Sequence, residues 1–400
     1  GFHPICLAVL CERCAAFMLV SSLVLMLCER YGYPGVEALR LAGLITAAGY
    51  LGSLPGGLIA DRVLGHRRGL LASLLFLMAA YLLLALPTNT ALWPSLAVLT
   101  VGNSLFKPSA HAVLRGLFVG GDPRLSQAQL WLHVVINVAA VLGAVVAGVL
   151  TRNENWSLAF AFAAVTVALG LVALVLLHRP RAPISHDTHP TTKTTQEAGS
   201  SSWQRLKAIA TLTLAMLLFN VCYGQVEGSL LLWTQQHVER TLCGFTLPPS
   251  WFVGLPSLLV LLSSPVQLSI LPRLQRTTRA PRLVAFGLMA TSLAFVVLLP
   301  AVSLSRVQPV SMGWIVLCHS MLVVGETLVG TLGLAQVLRL APTRWVGAVM
   351  GVWFLSGAIG YWLAGEVGAM LITMSPTCGL LLLALLPFAG TGIMSGQNKE

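Results

Sequence analysis

Four side chains whose chemistry does not suit lipid sit inside long apolar runs: Glu12, Arg13, Lys107 and Glu326, two acids and two bases. A charge at the centre of a membrane-inserted helix costs roughly 2.5–3.5 kcal/mol, so such groups are expected to face a polar interior or each other. Glu12 and Arg13 lie side by side in LAVLCERCAAFMLVSSLVLML, Leu7 to Leu27. Residues at i, i+3 and i+4 share a helix face, so Val9, Glu12, Arg13 and Ala16 form one stripe that would line a cavity. Lys107 is followed by Pro108, which adds a broken backbone hydrogen bond to the cost of the charge. His111 is one turn along the same face. Opposite buried charges can neutralise one another as structural ion pairs. The functional alternative is a proton-and-solute exchange: burial favours a neutral acid and a nearby cation favours its anion, so an arriving carboxylate could switch an acid between states. In that reading Glu12, Arg13, Lys107 and Glu326 are the proton-coupling set. His319, two turns before Glu326, shares its face, although a lone histidine there is more often a core residue than a relay.

Elements that could hold such groups follow from composition. Of 400 residues 56% are hydrophobic and only 9% charged, which excludes an ordinary soluble domain and implies a polytopic membrane protein. Windows of about 20 apolar residues mark twelve candidate spans. The first six run near 5–27, 39–59, 69–87, 92–114, 128–150 and 156–177. The second six run near 206–233, 250–271, 282–302, 309–338, 346–373 and 377–394. The Pro/Ser/Thr-rich stretch between them reads as a flexible linker. The expected organisation is therefore an N-terminal six-helix bundle at 1–177, a cytoplasmic linker at 178–204 and a C-terminal six-helix bundle at 205–400. Six and six suggest related bundles facing each other across a substrate site.

The net charge of +11 would suggest a nucleic-acid partner in a soluble protein. Its placement says otherwise. With the N-terminus inside, Arg30, Arg40, Arg152, Arg240 and Arg306 are the outer-loop bases. Apart from Arg13 and Lys107, the rest of the 24 Lys and Arg fall in inner loops and the tail. That asymmetry predicts both termini in the cytoplasm and needs no nucleic acid to explain the charge. The eight cysteines lie mostly within apolar runs, which favours packing over a disulfide framework. Cys11 and Cys14 form a C-x-x-C, but a redox pair inside a span has little access to a partner. A nucleophile with its base, or a metal set such as H-E-x-x-H, is not evident, so neither an enzyme nor a metal or other cofactor is expected.

Gly56-Gly57-Leu58-Ile59-Ala60-Asp61-Arg62-Val63-Leu64-Gly65-His66-Arg67-Arg68 follows span 2. Its glycines allow close helix packing, Asp61 can accept hydrogen bonds, and the arginines mark the inner face. This stretch resembles the signature loop of the major facilitator superfamily, in the D-R-x-L-G-x-R-R form of the proton-dependent oligopeptide transporters. Gly102-Asn103-Ser104-Leu105-Phe106-Lys107-Pro108-Ser109 is similar to G-N-G-L-F-K-P-N of the same family. So are Gly325-Glu326 with Gly333-Leu334 and Ala341-Pro342 in span 10, and Gly351-Val352-Trp353-Phe354-Leu355 in span 11. Ile136-Asn137, Gly228-Ser229 and Trp251-Phe252 match in spans 5, 7 and 8. The likeness touches nine of the twelve spans in the family's order.

The resemblance implies an all-α integral membrane fold of twelve helices in two six-helix bundles. It also implies a proton-coupled symporter of di- and tripeptides working by alternating access. A peptide would lie with its carboxylate toward Arg13 and Lys107 and its amino group toward Glu326, with His133, Asn137, Gln225, Ser229 and Trp353 completing the pocket. Gly57, Asp61, Arg62, Gly65, Arg67 and Arg68 would act as a conformational latch. Three positions depart from the family pattern. Val9 stands at the first glutamate of E-x-x-E-R-F-x-Y-Y, which ends here in Cys14-Ala15-Ala16-Phe17. His133 replaces the usual span 5 tyrosine, and Gln225 the usual span 7 acid, with Glu227 close by on another face. These departures keep three alternatives open: a peptide/histidine carrier, a nitrate-like anion carrier, and a non-transporting scaffold or sensor. The expected partners are a small-molecule substrate, protons and the lipid bilayer. The chain is expected to be a monomer, in a cell membrane rather than a lysosomal-type one.

Overall fold

The computed structural model describes residues 2–118, 124–152, 154–177, 202–342 and 346–396. Most of the linker, 178–201, lies outside them, as do Arg344 and Lys399. The described chain is helical almost throughout. Eleven helical stretches are long and apolar enough to cross a membrane by length and composition. A further helix, Leu92–Arg115, has 24 residues. It carries Lys107, His111 and Arg115 and is correspondingly less apolar, which accounts for the difference from the expected twelve.

The residues cluster into two compact units, Gly1–Tyr31 with Ala48–Thr194, and Gly32–Ala47 with Thr195–Glu400. The first comprises α1 (Phe2–Val20), α2 (Leu23–Glu29), the end of α3 (Gly35–Leu51), α4 (Ser53–Ile59), α5 (His66–Ala85), α6 (Leu92–Arg115), α7 (Arg124–Thr151) and α8 (Trp156–Leu177). Expected span 1 is broken. Its α-helical pattern stops at Val20, and the Ser22 hydroxyl donates to the Met18 carbonyl at 2.6 Å, the backward bond by which serine competes with the helical ladder. Within this unit α5 packs on α6 and α8, and α1 on α7 and α8. A side chain at Gly52 or Gly56 would collide with Ser104, Gly56 against its backbone, so these glycines seat α4 on α6. That contact lies one turn before Lys107.

The second unit holds most of α3, α9 (Ser202–Tyr223), α10 (Ser229–His237), α11 (Ser250–Thr277), α12 (Ala280–Val296), α13 (Leu298–Leu304), α14 (Gly313–Gly325), α15 (Leu332–Leu340), α16 (Val346–Thr373) and α17 (Pro376–Gly396). Expected span 7, near 206–233, is also interrupted, by a 3₁₀ turn at Gly224–Val226. Two-residue strands occupy the connections: Val238–Glu239 pairs in parallel with Val310–Ser311, and Thr241–Leu242 antiparallel with Phe245–Thr246. The all-α class is unaffected by pairs this short. Here α9 packs on α16 and α17, and α12 on α14 and α17. Residues 32–47, on the N-terminal side of the chain, belong to this unit. Gly43 and Gly365 explain it, since a Cβ on Gly43 would come within 2.7 Å of the Gly365 backbone. Beside them Arg40 Nε lies 3.0 Å from Glu366 Oε2, both side chains more than a third exposed. Span 11 thus contains an acid, Glu366, that the sequence reading passed over.

Candidate functional site

In the first unit the acid and base of α1 satisfy each other. Arg13 donates from Nε to Glu12 Oε2 at 2.6 Å and from Nη2 to Glu12 Oε1 at 2.5 Å, and Glu12 is 1% exposed. Bidentate arginine–carboxylate geometry is the strong form of this contact. It uses two of the guanidinium's five N–H groups and leaves the others for a further acceptor. The guanidinium also lies 5.5 Å from the centre of the Phe106 ring. Tyr81, fully buried, and Tyr50 are within its electrostatic reach. Lys107 Nζ stands 3.9 Å above the Tyr50 ring, a close cation–π contact. His111 is within reach of both Arg13 and Lys107. The predicted trio Glu12, Arg13 and Lys107 is therefore one neighbourhood, built from α1, α3, α5 and α6. The aromatic side of it was missed from sequence, although a tyrosine in an apolar helix is a visible polar handle.

His133 and Asn137 sit one turn apart on α7 and turn to each other. Asn137 Nδ2 lies 3.3 Å from His133 Nε2 and donates to the His133 carbonyl at 3.0 Å. Asn137 is buried and His133 exposed.

The signature loop forms a π-helical turn over Ala60–Leu64, ended by Gly65 at φ 75°, ψ 144°. A side chain rarely tolerates that conformation, which is the reason for glycine there. Asp61 Oδ1 pairs with His66 Nε2 at 3.3 Å, so a histidine, and not one of the arginines, is its partner. Arg62, Arg67 and Arg68 are exposed.

The second unit treats its acid, the partly buried Glu326, differently. Glu326 opens a π-helical turn, Glu326–Thr331, between α14 and α15. One side of its carboxyl is met by the Tyr223 hydroxyl of α9. Oε2 is buried with no hydrogen-bond partner among the described residues. Phe219 stacks one turn away from Tyr223, ring centres 5.3 Å apart. A Cβ on the neighbouring Gly325 would stand 3.1 Å from Phe219 and nearer still to Thr291 Oγ1, so this glycine lets α14 close on α9 and α12. Trp353 of α16 is 5% exposed and packs in the same apolar cluster as Phe219, Val329 and Val337, with Tyr223 at its edge. Glu326, Tyr223 and Trp353 are thereby gathered around one core. Tyr223 was not foreseen.

Gln225 and Ser229 come together elsewhere on this unit. Gln225 Nε2 donates to the Val221 and Ala364 carbonyls, each at 3.0 Å, and its Oε1 accepts from the Ser229 hydroxyl at 2.6 Å. Every hydrogen of that amide is used within the protein, and the side chain ties α9 to α16. His319 has Nδ1 2.7 Å from the Ile315 carbonyl, and its other ring nitrogen is buried without a partner among the described residues.

A many-helix membrane chain that keeps ionisable groups buried inside its bundles, with glycines clearing the way for helix contacts, has the construction of a membrane transporter. The chain belongs to the Major Facilitator Superfamily, whose family model matches residues 5–365. It is 26% identical over 422 residues to dipeptide and tripeptide permease A of Pectobacterium carotovorum, covering 89% of this chain and 83% of that one. To the Yersinia pestis permease of the same name it is 27% identical over 421 residues, covering 89% and 84%. Among solved structures, a peptide transporter POT in complex with sulfate superposes with a TM-score of 0.89 at 22% identity, covering 100% of this chain and 94% of the other. A POT family transporter in complex with 5-aminolevulinic acid gives 0.89 at 18% identity, over 99% and 95%. The solved structures establish the shared fold.

Proposed function

We propose that this chain is a proton-coupled symporter of di- and tripeptides in a bacterial-type cell membrane. The observation that carries the coupling is Glu326, a partly buried residue whose carboxyl has a phenol at one oxygen and whose other oxygen, the buried Oε2, has no hydrogen-bond partner among the described residues. A charge buried in that state is costly unless a proton or a cation joins it. A proton and the amino group of a peptide both meet that need, and only one can do so at a time. In the first unit Arg13 keeps donors beyond those given to Glu12, and Lys107 adds a second cation, so the peptide carboxylate is assigned there. Arrival of that carboxylate competes with Glu12 for Arg13, which passes a change of substrate occupancy to an acid. The peptide-permease names of the relatives support this substrate class.

The rest of the expected organisation belongs to the same proposal: a functional division at 1–177, 178–204 and 205–400, both termini cytoplasmic, a working monomer, and a latch at Gly57, Asp61, Arg62, Gly65, Arg67 and Arg68. His133, Asn137, Ser229 and Trp353 are assigned to the peptide-binding pocket, and Gln225, whose amide hydrogens both go to backbone carbonyls, to holding the helices that form it.

Uptake of labelled dipeptide into proteoliposomes under an imposed proton gradient tests the reading. Saturable uptake that rises with the gradient and is inhibited by tripeptides is expected. Lack of flux at any pH, with bound peptide also undetectable, would make the chain a scaffold that kept the fold.

A further inference from the structure

The second unit carries a cavity of about 100 Å³ where the junction of α11 and α12 meets α15. Arg279 and Arg339 line it with Gln275, Thr278 and Gln336, and Leu283 and Leu332 close its apolar floor. The charge around it is uncompensated. Between Glu239 and Glu366 the sequence holds one carboxylate, Glu326, ten residues before Gln336, whereas Arg279 and Arg339 line the cavity and Arg273, Arg276 and Arg282 each lie within two residues of a lining residue in the chain. None of the five pairs with an acid among the described residues.

Two of these arginines have an ordinary explanation. Arg276 and Arg339 lie in the last turns of α11 and α15, where a cation complements the helix dipole. Arg279 and Arg282, although on the expected inner face, lack that complement: Arg279 is the N-cap of α12 and Arg282 lies in its first turn, so both place positive charge at the positive end of a helix. An anion in the cavity would compensate that placement. The guanidinium fork, two amides and a hydroxyl form a donor set matched to phosphate oxygens.

The surroundings add apolar side chains. Leu274 on α11 and Leu338 on α15, each next in sequence to a lining residue, are exposed large side chains. Exposed leucines give way to arginines there, as the acyl and headgroup zones of a lipid do. Basic pockets between spanning helices are known to hold anionic headgroups.

We propose that this cavity is a binding site for a phosphate group, supplied by the headgroup of an anionic glycerophospholipid or by free phosphate. Neither peptide nor proton transport is part of the inference, and its test is read by binding.

The full chain would be purified and mixed with phosphatidylglycerol or phosphatidylcholine, and retained lipid counted by native mass spectrometry. A second arm measures binding of radiolabelled inorganic phosphate alone. Selective retention of phosphatidylglycerol that millimolar phosphate fails to displace assigns the lipid. Saturable phosphate binding without lipid selectivity assigns the free anion. In either case Arg279→Gln with Arg339→Gln should weaken binding by roughly 30-fold, from about a tenfold factor or less per arginine. Arg273→Gln, two residues before Gln275 on α11 but outside the lining, should change it little. Gln336→Phe, which fills the cavity and keeps every charge, should also abolish binding, so the result does not rest on the double variant folding. The proposal is overturned if the wild-type chain holds neither ligand selectively. It is equally overturned if the cavity variants bind as the wild type does.

Discussion

Each unit encloses an acid within its helices, Glu12 fully and Glu326 in part, and the two are handled in opposite ways. In the first, Glu12 is bidentate to the very next residue, Arg13, so its charge is balanced within one turn of α1. In the second, Glu326 has a phenol at one oxygen, and Oε2 has no partner among the described residues. The first arrangement holds a base in place and spends an acid to do it. The second leaves an acid available. A buried ion pair and a buried lone carboxyl look alike in sequence, as a charged letter in an apolar run, yet only the lone one has something to gain from an incoming proton or ammonium.

The sharpest way to break this contrast is Glu326→Gln. With one proton per cycle, a potential of 100 mV supplies about 2.3 kcal/mol, which corresponds to roughly 50-fold accumulation. The variant should lose that accumulation in proteoliposomes while still exchanging labelled for unlabelled peptide across the membrane. If gradient-driven accumulation persists, Glu326 is not the coupling acid and the contrast has no functional meaning. Arg13→Gln should act on stability instead. It strands Glu12 as an uncompensated buried charge, with a cost of about 3–5 kcal/mol, whereas Glu12→Gln combined with Arg13→Gln should recover most of that loss. Unfolding of the detergent-solubilised variants measures both. Equal losses in single and double variants would mean the two side chains do not act as a pair.

A smaller effect is expected from Tyr223→Phe. It removes the one hydroxyl facing Glu326 and should cost about 1–3 kcal/mol of stability. An unchanged unfolding midpoint would show the phenol to be a bystander. The smallest effect expected is that of Gln225→Leu, about 1 kcal/mol, since a neutral link between α9 and α16 is lost. Its peptide KM should stay unchanged. A tenfold rise in KM with full stability would instead mean that this amide leaves its carbonyl partners for the substrate.

Much of the architecture was legible because membrane spans announce themselves. Long apolar runs gave helices near the expected places, and the order of motifs gave the superfamily. What sequence could not place was the partner of each polar group. Asp61 was expected to meet helix N-termini or arginines, yet His66 holds it, because the π-helical turn brings residue 66 round to residue 61. Gln225 was placed in the pocket, yet its amide is consumed by Val221 and Ala364, a carbonyl 139 residues away that no local pattern reveals. Tyr50, Tyr81 and Tyr223 carry no charge and so do not stand out, although each sits beside an ionisable group. Glu366 escaped because it lies near the end of a glycine-rich apolar run, where Arg40 from the other end of the chain reaches it.

The wide turn at Glu326–Thr331 has a consequence for chain length. A π-helical turn is an α-helical turn with one residue too many. Removing that residue would let the ladder close in the ordinary way without disturbing the register of what precedes or follows. Gly330 is the natural one to delete, since nothing lies within 4 Å of where its side chain would be. A polypeptide of 399 units should therefore still complete this helix, with Glu326 swung about the axis by a fraction of a turn and its carboxyl aimed at different neighbours.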